Sequence, residues 1–248
     1  MTLTAAHKNL EVIILAAGRG TRMRSSRPKV LHPLAGKYLI QHVIDTAQAL
    51  NPTQIHVVVG HGADAVEQAL AGQNLNFHQQ TEQLGTGHAV ACALPGCASN
   101  SAVLVLFGDV PLVAASTLKT LIAGSQDNPS MLAARLDDPQ GYGRVLRSEQ
   151  GHFLAVVEQA DANETQALIN EVNTGVLAAP VEQLSALLNL VGNDNAQGEY
   201  YLPDALGLAQ QQGIAVAVAV TDDPLEMYGI NDRLQLQTLE RALQCRRA

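Results

Sequence analysis

The stretch EVIILAAGRGTRMRSSRPK, residues 11–29, couples an unbroken apolar run to a loop with two glycines, four arginines and a lysine. A short continuous apolar run suits a strand covered on both faces, because each side of the pleat then meets a nonpolar partner. Three further runs share this character: IHVVVG (55–60), AVLVLFG (102–108) and IAVAVAV (214–220). Helix-like segments lie at 38–50, 63–70, 87–93 and 116–125. Alternating strand and helix predicts an α/β fold with a mostly parallel sheet. From about Ser130 the pattern loosens into MLAARL, GYGRVLR, HFLAVVE and NTGVLAA, read as more of that sheet plus a smaller antiparallel piece. The closing NDRLQLQTLERALQCRRA keeps helical spacing at Leu236, Leu239 and Leu243. It ends without a glycine cap or a following proline, which fits a chain cut short or an ordinary frayed end.

The loop fails two familiar templates. A dinucleotide fingerprint needs a third glycine where Met23 stands, and a Walker A loop needs glycine directly before Lys-Ser/Thr. What remains is a strand, then Ala-Ala-Gly-x-Gly-Thr, then Pro28-Lys29. Small residues let a ligand approach the backbone and leave amide hydrogens free for phosphate oxygens. Arg22 and Lys29 can add positive charge there, and strand ends in open α/β sheets are where ligands bind. By themselves these residues fit either a phosphate loop or a tight turn with incidental basic side chains.

Composition narrows the field. With 248 residues, 47% of them hydrophobic and 15% charged, the chain can build one large domain or two small ones. A net charge of −8 argues against a nucleic-acid polymer as partner. Yet six of the fifteen basic residues fall between Arg19 and Lys37, which suits one small polyanion at one place. No run is long and apolar enough to span a membrane, and MTLTAAHKNL lacks the basic head and apolar body of a signal peptide. Cys92, Cys97 and Cys245 fit neither a disulfide framework nor a paired metal motif, so they read as reduced thiols in a cytoplasmic protein. His32, His42, His56, His61, His78 and His88 are too scattered to read as zinc ligands.

The pattern LAAGxGTRM…RPK resembles the signature of the sugar-nucleotide pyrophosphorylases. QTEQLGTGHA (80–89), LFGDVPL (106–112), DDPQGYGR (137–144), VVEQADA (156–162), EVNTGV (171–176), NAQGEYYLPD (195–204) and YGINDRLQL (228–236) follow in the order of that family. Together they are similar to the uridylyltransferase domain of the bacterial bifunctional N-acetylglucosamine-1-phosphate uridylyltransferase/glucosamine-1-phosphate acetyltransferase, from about Leu10 onward. The resemblance implies a Rossmann-like nucleotidyltransferase fold, a mostly parallel mixed sheet flanked by helices with a small antiparallel sugar-binding elaboration. It implies a catalytic domain over 1–231 and, over 232–248, a helix that starts a linker. It implies formation of UDP-N-acetylglucosamine and pyrophosphate from UTP and N-acetylglucosamine 1-phosphate. The hexapeptide repeats of the family's acetyltransferase domain do not occur in these residues. The full-length family protein is expected to be a trimer, and this piece monomeric or weakly associated.

The same resemblance assigns roles. Arg22 and Lys29 would stabilise the triphosphate and the departing pyrophosphate. Leu15, Ala16, Ala17, Gly18, Gly20 and Thr21 would line ribose and phosphates, and Gln80, Gln83 and Gly85 the uracil. Thr86, Gly143, Glu158, Asn173 and Tyr201 would hold the sugar phosphate, together with Phe107, where the family often has tyrosine. Asp109 and Asn231 would hold one Mg²⁺, with Asn231 also near the sugar phosphate. A phosphate monoester is already mostly dianionic at neutral pH, its second pKa being about 6, so no general base is required. Neutralisation and alignment are the task, which explains the lack of a His or Ser constellation. Two alternatives remain: a pyrophosphorylase for another sugar 1-phosphate or nucleotide, and a non-catalytic nucleotide-binding regulatory module.

Overall fold

The computed structural model describes residues 9–125 and 127–247. Most of the N-terminal stretch read as leaderless, residues 1–8, lies outside them, as does Ala248 of the expected closing helix. In chain order come β1 (Leu10–Ala16), β2 (Pro33–Leu34), β3 (Lys37–Tyr38), α1 (Leu39–Gln48), β4 (Gln54–Val59), α2 (Ala63–Ala69), β5 (Asn76–Gln79) and α3 (Thr86–Ala93). Then follow β6 (Ala102–Phe107), α4 (Ala115–Ala123), β7 (Ser130–Arg135), β8 (Arg144–Arg147), β9 (Phe153–Val157) and α5 (Glu164–Ala167). The chain continues with β10 (Glu171–Pro180), α6 (Val181–Leu188), α7 (Asp204–Gln211), β11 (Ala217–Thr221) and α8 (Arg233–Arg247).

The main path of the sheet is β11–β7–β10–β6–β1–β4–β5. β1 is parallel to β4 and β6, β4 to β5, and β7 to β11, while β10 runs antiparallel to β6 and β7. β8 and β9 form an antiparallel hairpin that branches from β10, and β2 pairs with β3 as a separate ribbon. The expected mostly parallel mixed sheet with an antiparallel addition is therefore the fold.

The unbroken apolar run of β1 has a direct cause. Val12, Ile14 and Ala16 enter a core on one face with Leu104, Leu106 and the α1 residues Ile40, Val43 and Ile44. Ile13, Leu15 and Ala17 enter a second core with Val103, Val105 and residues of α3, α6 and α7. Val12, Ile13 and Ile14 each have 0% exposure, and burying one such side chain contributes about 1.5–3 kcal/mol. A third cluster joins Met23, Leu34, Leu39, Ile230 and Leu239, so α8 packs on the loop that follows β1.

Sequence spacing singled out neither β5 nor the helices α6 and α7. β5 (NFHQ) is a half-exposed edge strand with no apolar run. α6 and α7 each start directly after a proline, Pro180 or Pro203, which reads in sequence as punctuation between elements. The run expected as a strand from Ile214 starts at Ala217. No helix among the described residues is long and apolar enough to cross a membrane.

The sheet also gathers histidines that are scattered in sequence. Near the start of β1, Glu11 Oε1 accepts from the Ala98 N–H at 2.8 Å and the Ser101 hydroxyl at 2.8 Å. Glu11 Oε2 meets His56 Nε2 at 2.8 Å, and His56 Nδ1 meets His78 Nε2 at 2.8 Å. Burial acts to raise the Glu11 pKa, but hydrogen bonds from Ala98, His56 and Ser101 prevail and hold it below the ordinary carboxylate value. Cys97 sits beside Glu11 and its thiol is pushed up to about 12, first by burial and then by the Glu11 charge.

Candidate active site

A cavity of about 810 Å³ opens at the carboxyl ends of β1 and β6. Position follows from topology: β1 is central, and its loop, the loop after β5 and the end of β6 meet over the same edge. Leu15, Ala16, Ala17 and Gly18 line the cavity, as do Lys29, Gln80, Gln83, Gly85, Thr86, Phe107 and Asp109. A Cβ at Gly18 would meet nothing within 4 Å, so its open side is left by the protein rather than filled by packing.

The loop after β1 folds back on itself. Gly20 has φ 57°, and a Cβ there would lie 2.7 Å from Lys29 Cβ, so only glycine allows this return. The Met23 N–H donates to Gly20 O at 2.9 Å, and the Met23 side chain, 1% exposed, pins the turn into the third cluster. Arg233 of α8 caps the same turn, donating from Nε to Met23 O at 3.1 Å and from its guanidinium to Arg24 O at 3.3 Å. Lys29 begins a second turn whose Val30 and Leu31 are buried. Its ammonium pairs with Asp109 and donates to Asn231 Oδ1 at 3.2 Å. Thr21 and Arg22 line a separate shallow concavity with Arg24, Asp232 and Leu234.

The wall at residues 80–86 is built by backbone pairing. The Tyr200 N–H donates to Leu84 O at 2.8 Å, and the Gly87 N–H donates to Tyr200 O at 2.8 Å. Gly85 stands between them at φ 112°, and a Cβ there would come within 2.6 Å of Tyr200 O. Gln83 lies beside Gln80, donating from Nε2 to Gln80 O at 3.1 Å.

The remaining residues expected on the sugar side form a second group, reached through Phe107. The Phe107 ring lies against Gly175 of β10, whose N–H donates to Asn173 Oδ1 at 2.9 Å. The Asn173 N–H donates to Gly143 O at 2.8 Å, and Glu158 Oε1 sits 2.9 Å from where a Gly143 Cβ would be. Burial raises the Glu158 pKa, and the charges of Asp204 and Asp161 raise it further, against Arg144. Tyr201 is 7% exposed, and its buried hydroxyl has no hydrogen-bond partner among the described residues. Its phenol is pushed up to about 12 by burial and by the nearby carboxylates, Asp161 and Glu158 first among them.

Three contributors escaped the sequence reading. Glu199 lines the cavity. Tyr142 lies near Asp109, and its pKa is raised by burial, then by Tyr228 and Asp109. His88 stands behind Gln80 at 3.1 Å. Glu199 and His88 lie in segments quoted above, NAQGEYY and GTGHA, and Tyr142 in DDPQGYGR, but only the folded chain relates them to the cavity.

The model of the MobA-like NTP transferase domain matches residues 12–245. The chain is 52% identical over 239 residues to a protein named Bifunctional protein GlmU from Pseudomonas putida (strain GB-1), covering 96% of this chain and 52% of that protein. It is 52% identical over 241 residues to the protein of that name from Pseudomonas aeruginosa (strain LESB58), covering 97% of this chain and 53% of that protein. The chain thus spans about half the length of the curated relatives it matches. A solved nucleotidyl transferase from Methanothermobacter thermautotroptrophicus superposes with a TM-score of 0.68 at 19% identity, covering 96% of this chain and 99% of that one. At that identity the likeness speaks for the fold alone.

Proposed function

The chain belongs to the MobA-like NTP transferase family, and from that membership we propose that it forms UDP-N-acetylglucosamine and pyrophosphate from UTP and N-acetylglucosamine 1-phosphate. The observation that carries this reading is a convergence over one sheet edge. A small-residue loop, an amide-bearing wall at Gln80 and Gly85, and the Lys29–Asp109–Asn231 cluster all meet there.

An oxygen of the sugar phosphate attacks the α-phosphorus of UTP, and the bond to the bridging oxygen of pyrophosphate breaks. Two polyanions must be brought together, so charge neutralisation and alignment supply most of the catalysis. Backbone amides at residues 15–18 cradle ribose and phosphates, and Lys29 holds the charge that develops on the leaving group. Gly20, Thr21 and Arg22 continue the same loop, with Thr21 and Arg22 in the separate concavity, from which Arg22 would have to swing in to reach a phosphate. Gln80, Gln83 and Gly85 enclose uracil. Thr86, Phe107, Gly143, Glu158, Asn173 and Tyr201 enclose the sugar phosphate, and the Tyr201 hydroxyl, which has no partner among the described residues, is a buried donor that a polar ligand would satisfy.

Asp109 and Asn231 present two hard oxygens that both reach the Lys29 ammonium, so a cation fits between them. That donor set suits Mg²⁺, which would neutralise phosphate charge when bound. Residues 1–231 carry the reaction, followed by α8 (Arg233–Arg247). Free Cys92, Cys97 and Cys245 suit a reducing, cytoplasmic setting, and we expect a monomer or weak oligomer for this chain.

The test is pyrophosphate release from UTP with and without N-acetylglucosamine 1-phosphate, in Mg²⁺ or EDTA. Release that needs both substrates and Mg²⁺ is expected. UTP binding without release under any sugar phosphate would mean a binding module instead.

A further inference from the structure

Gln80 is 3% exposed and lines the cavity, so which end of its amide faces a ligand matters. The structure fixes that end. Gln80 Nε2 lies 3.1 Å from Gly85 O and 3.1 Å from His88 Nδ1. A carbonyl oxygen only accepts, so the group facing Gly85 must be the NH₂. The same NH₂ has its second hydrogen for His88 Nδ1, which must then be an unprotonated acceptor. His88 Nε2 consequently carries the proton, and it faces Cys92 Sγ at 4.0 Å, a weak acceptor. Burial raises the Cys92 pKa, which keeps that sulfur neutral. Among the described residues no hydrogen bond is made to Gln80 Oε1.

We infer that His88 is a positioning residue that locks the Gln80 amide with its oxygen toward the cavity, and that this lock sets the preference for a uracil over a cytosine base. The inference rests on the uridylyltransferase reading above. Uracil N3 carries a hydrogen and cytosine N3 a lone pair, so an oxygen held in place accepts from the first and opposes the second. An amide with no lock can rotate and offer its NH₂ to cytosine. Gly85 O alone fixes one hydrogen of the NH₂, while His88 fixes the other and with it the plane of the amide.

The experiment compares kcat/KM for UTP and CTP, each with N-acetylglucosamine 1-phosphate, in wild type, His88→Ala and His88→Asn. In His88→Ala the UTP/CTP preference should fall roughly tenfold or more, the scale of one buried polar mismatch. The change should appear mainly in KM for the nucleotide, with KM for the sugar phosphate kept. His88→Asn, whose Oδ1 can stand where Nδ1 stood, should restore most of the preference. A ¹⁵N spectrum of the wild-type imidazole needs no variant and should show a bare Nδ1 and a protonated Nε2. An unchanged preference in folded His88→Ala, or a proton on Nδ1, overturns the inference while leaving the uridylyltransferase reading intact. No UTP turnover by the wild type would overturn that reading and the inference with it.

Discussion

Lys29 and Asp109, 80 residues apart, form an ion pair in the wall of the cavity, each side chain 16% exposed. The Lys29 ammonium also reaches Asn231 Oδ1 at 3.2 Å, so one positive charge lies between the two oxygens expected to hold a divalent ion. For a metal to take both oxygens, the ammonium must move away, and triphosphate oxygens are the natural place for it. Lys29→Ala should therefore bind Mn²⁺ more tightly in the absence of nucleotide, read by electron paramagnetic resonance, while kcat falls roughly 10²–10³-fold. Weaker Mn²⁺ binding in this variant would show that Lys29 and the metal do not compete for these oxygens.

Glu158 illustrates a conflict between stability and binding. Its pKa is raised by burial, then by Asp204 and Asp161, so the folded protein holds the proton to a higher pH than the unfolded chain does. Stability must then decline as pH rises from the unfolded pKa through the raised one. Glu158→Gln removes that penalty. Its urea midpoint should exceed that of wild type at about pH 8, with the gap closing toward about pH 4. KM for the sugar phosphate should rise about tenfold in the same variant, because a sugar hydroxyl then meets a neutral amide in place of a carboxylate acceptor. A lower midpoint at alkaline pH would mean that the carboxylate stabilises the fold.

The three thiols should differ sharply in reactivity. Cys245 is exposed, whereas Cys97 is held near a pKa of about 12 by burial and by Glu11. At pH 8 that leaves roughly one Cys97 in ten thousand as thiolate. Titration with a disulfide reagent should show one fast thiol, lost in Cys245→Ser, and should modify Cys97 only on unfolding. Fast labelling of Cys97 in the folded protein would contradict the described packing.

Arg233 holds the first turn of the loop after β1 through Met23 O and Arg24 O. Arg24 has φ 48°, a left-handed conformation that is uncommon outside glycine. Without the cap, Arg233→Ala should open this turn, and trypsin should cut after Arg24 several times faster, Arg27 being shielded by Pro28. UTP should suppress the cleavage. An unchanged rate with a raised KM for UTP would assign Arg233 a direct contact with the nucleotide instead.

The central strands were legible because both faces of β1 and β6 are buried, which leaves no room for polar residues to break the run. β5 was not legible because an edge strand needs no apolar run, and His78 in it serves the Glu11–His56 network rather than a core. In the site, local chemistry was visible in the Ala-Ala-Gly-x-Gly loop and in the strand-end Asp109. Glu158, Asn173 and Tyr201 drew attention only through family resemblance, since they come from three separate segments of chain. Arg22 lies with Asp232 and Leu234 rather than at the main cavity. The direction of a side chain leaving a loop with left-handed residues is set by backbone angles, which residue type alone does not specify.

The bond from Lys29 to Asn231 spans 202 residues and the cap from Arg233 to Met23 spans 210. During synthesis, the loop at residues 15–29 emerges long before the groups that complete it. At roughly 5–20 residues per second the interval is on the order of 10–40 s. For that time the nascent chain carries an unfinished loop, rich in arginine and lacking both the Arg233 cap and the Asn231 oxygen that Lys29 meets. The turn at Met23 and Arg24 can therefore gain its cap only after α8 has started to appear.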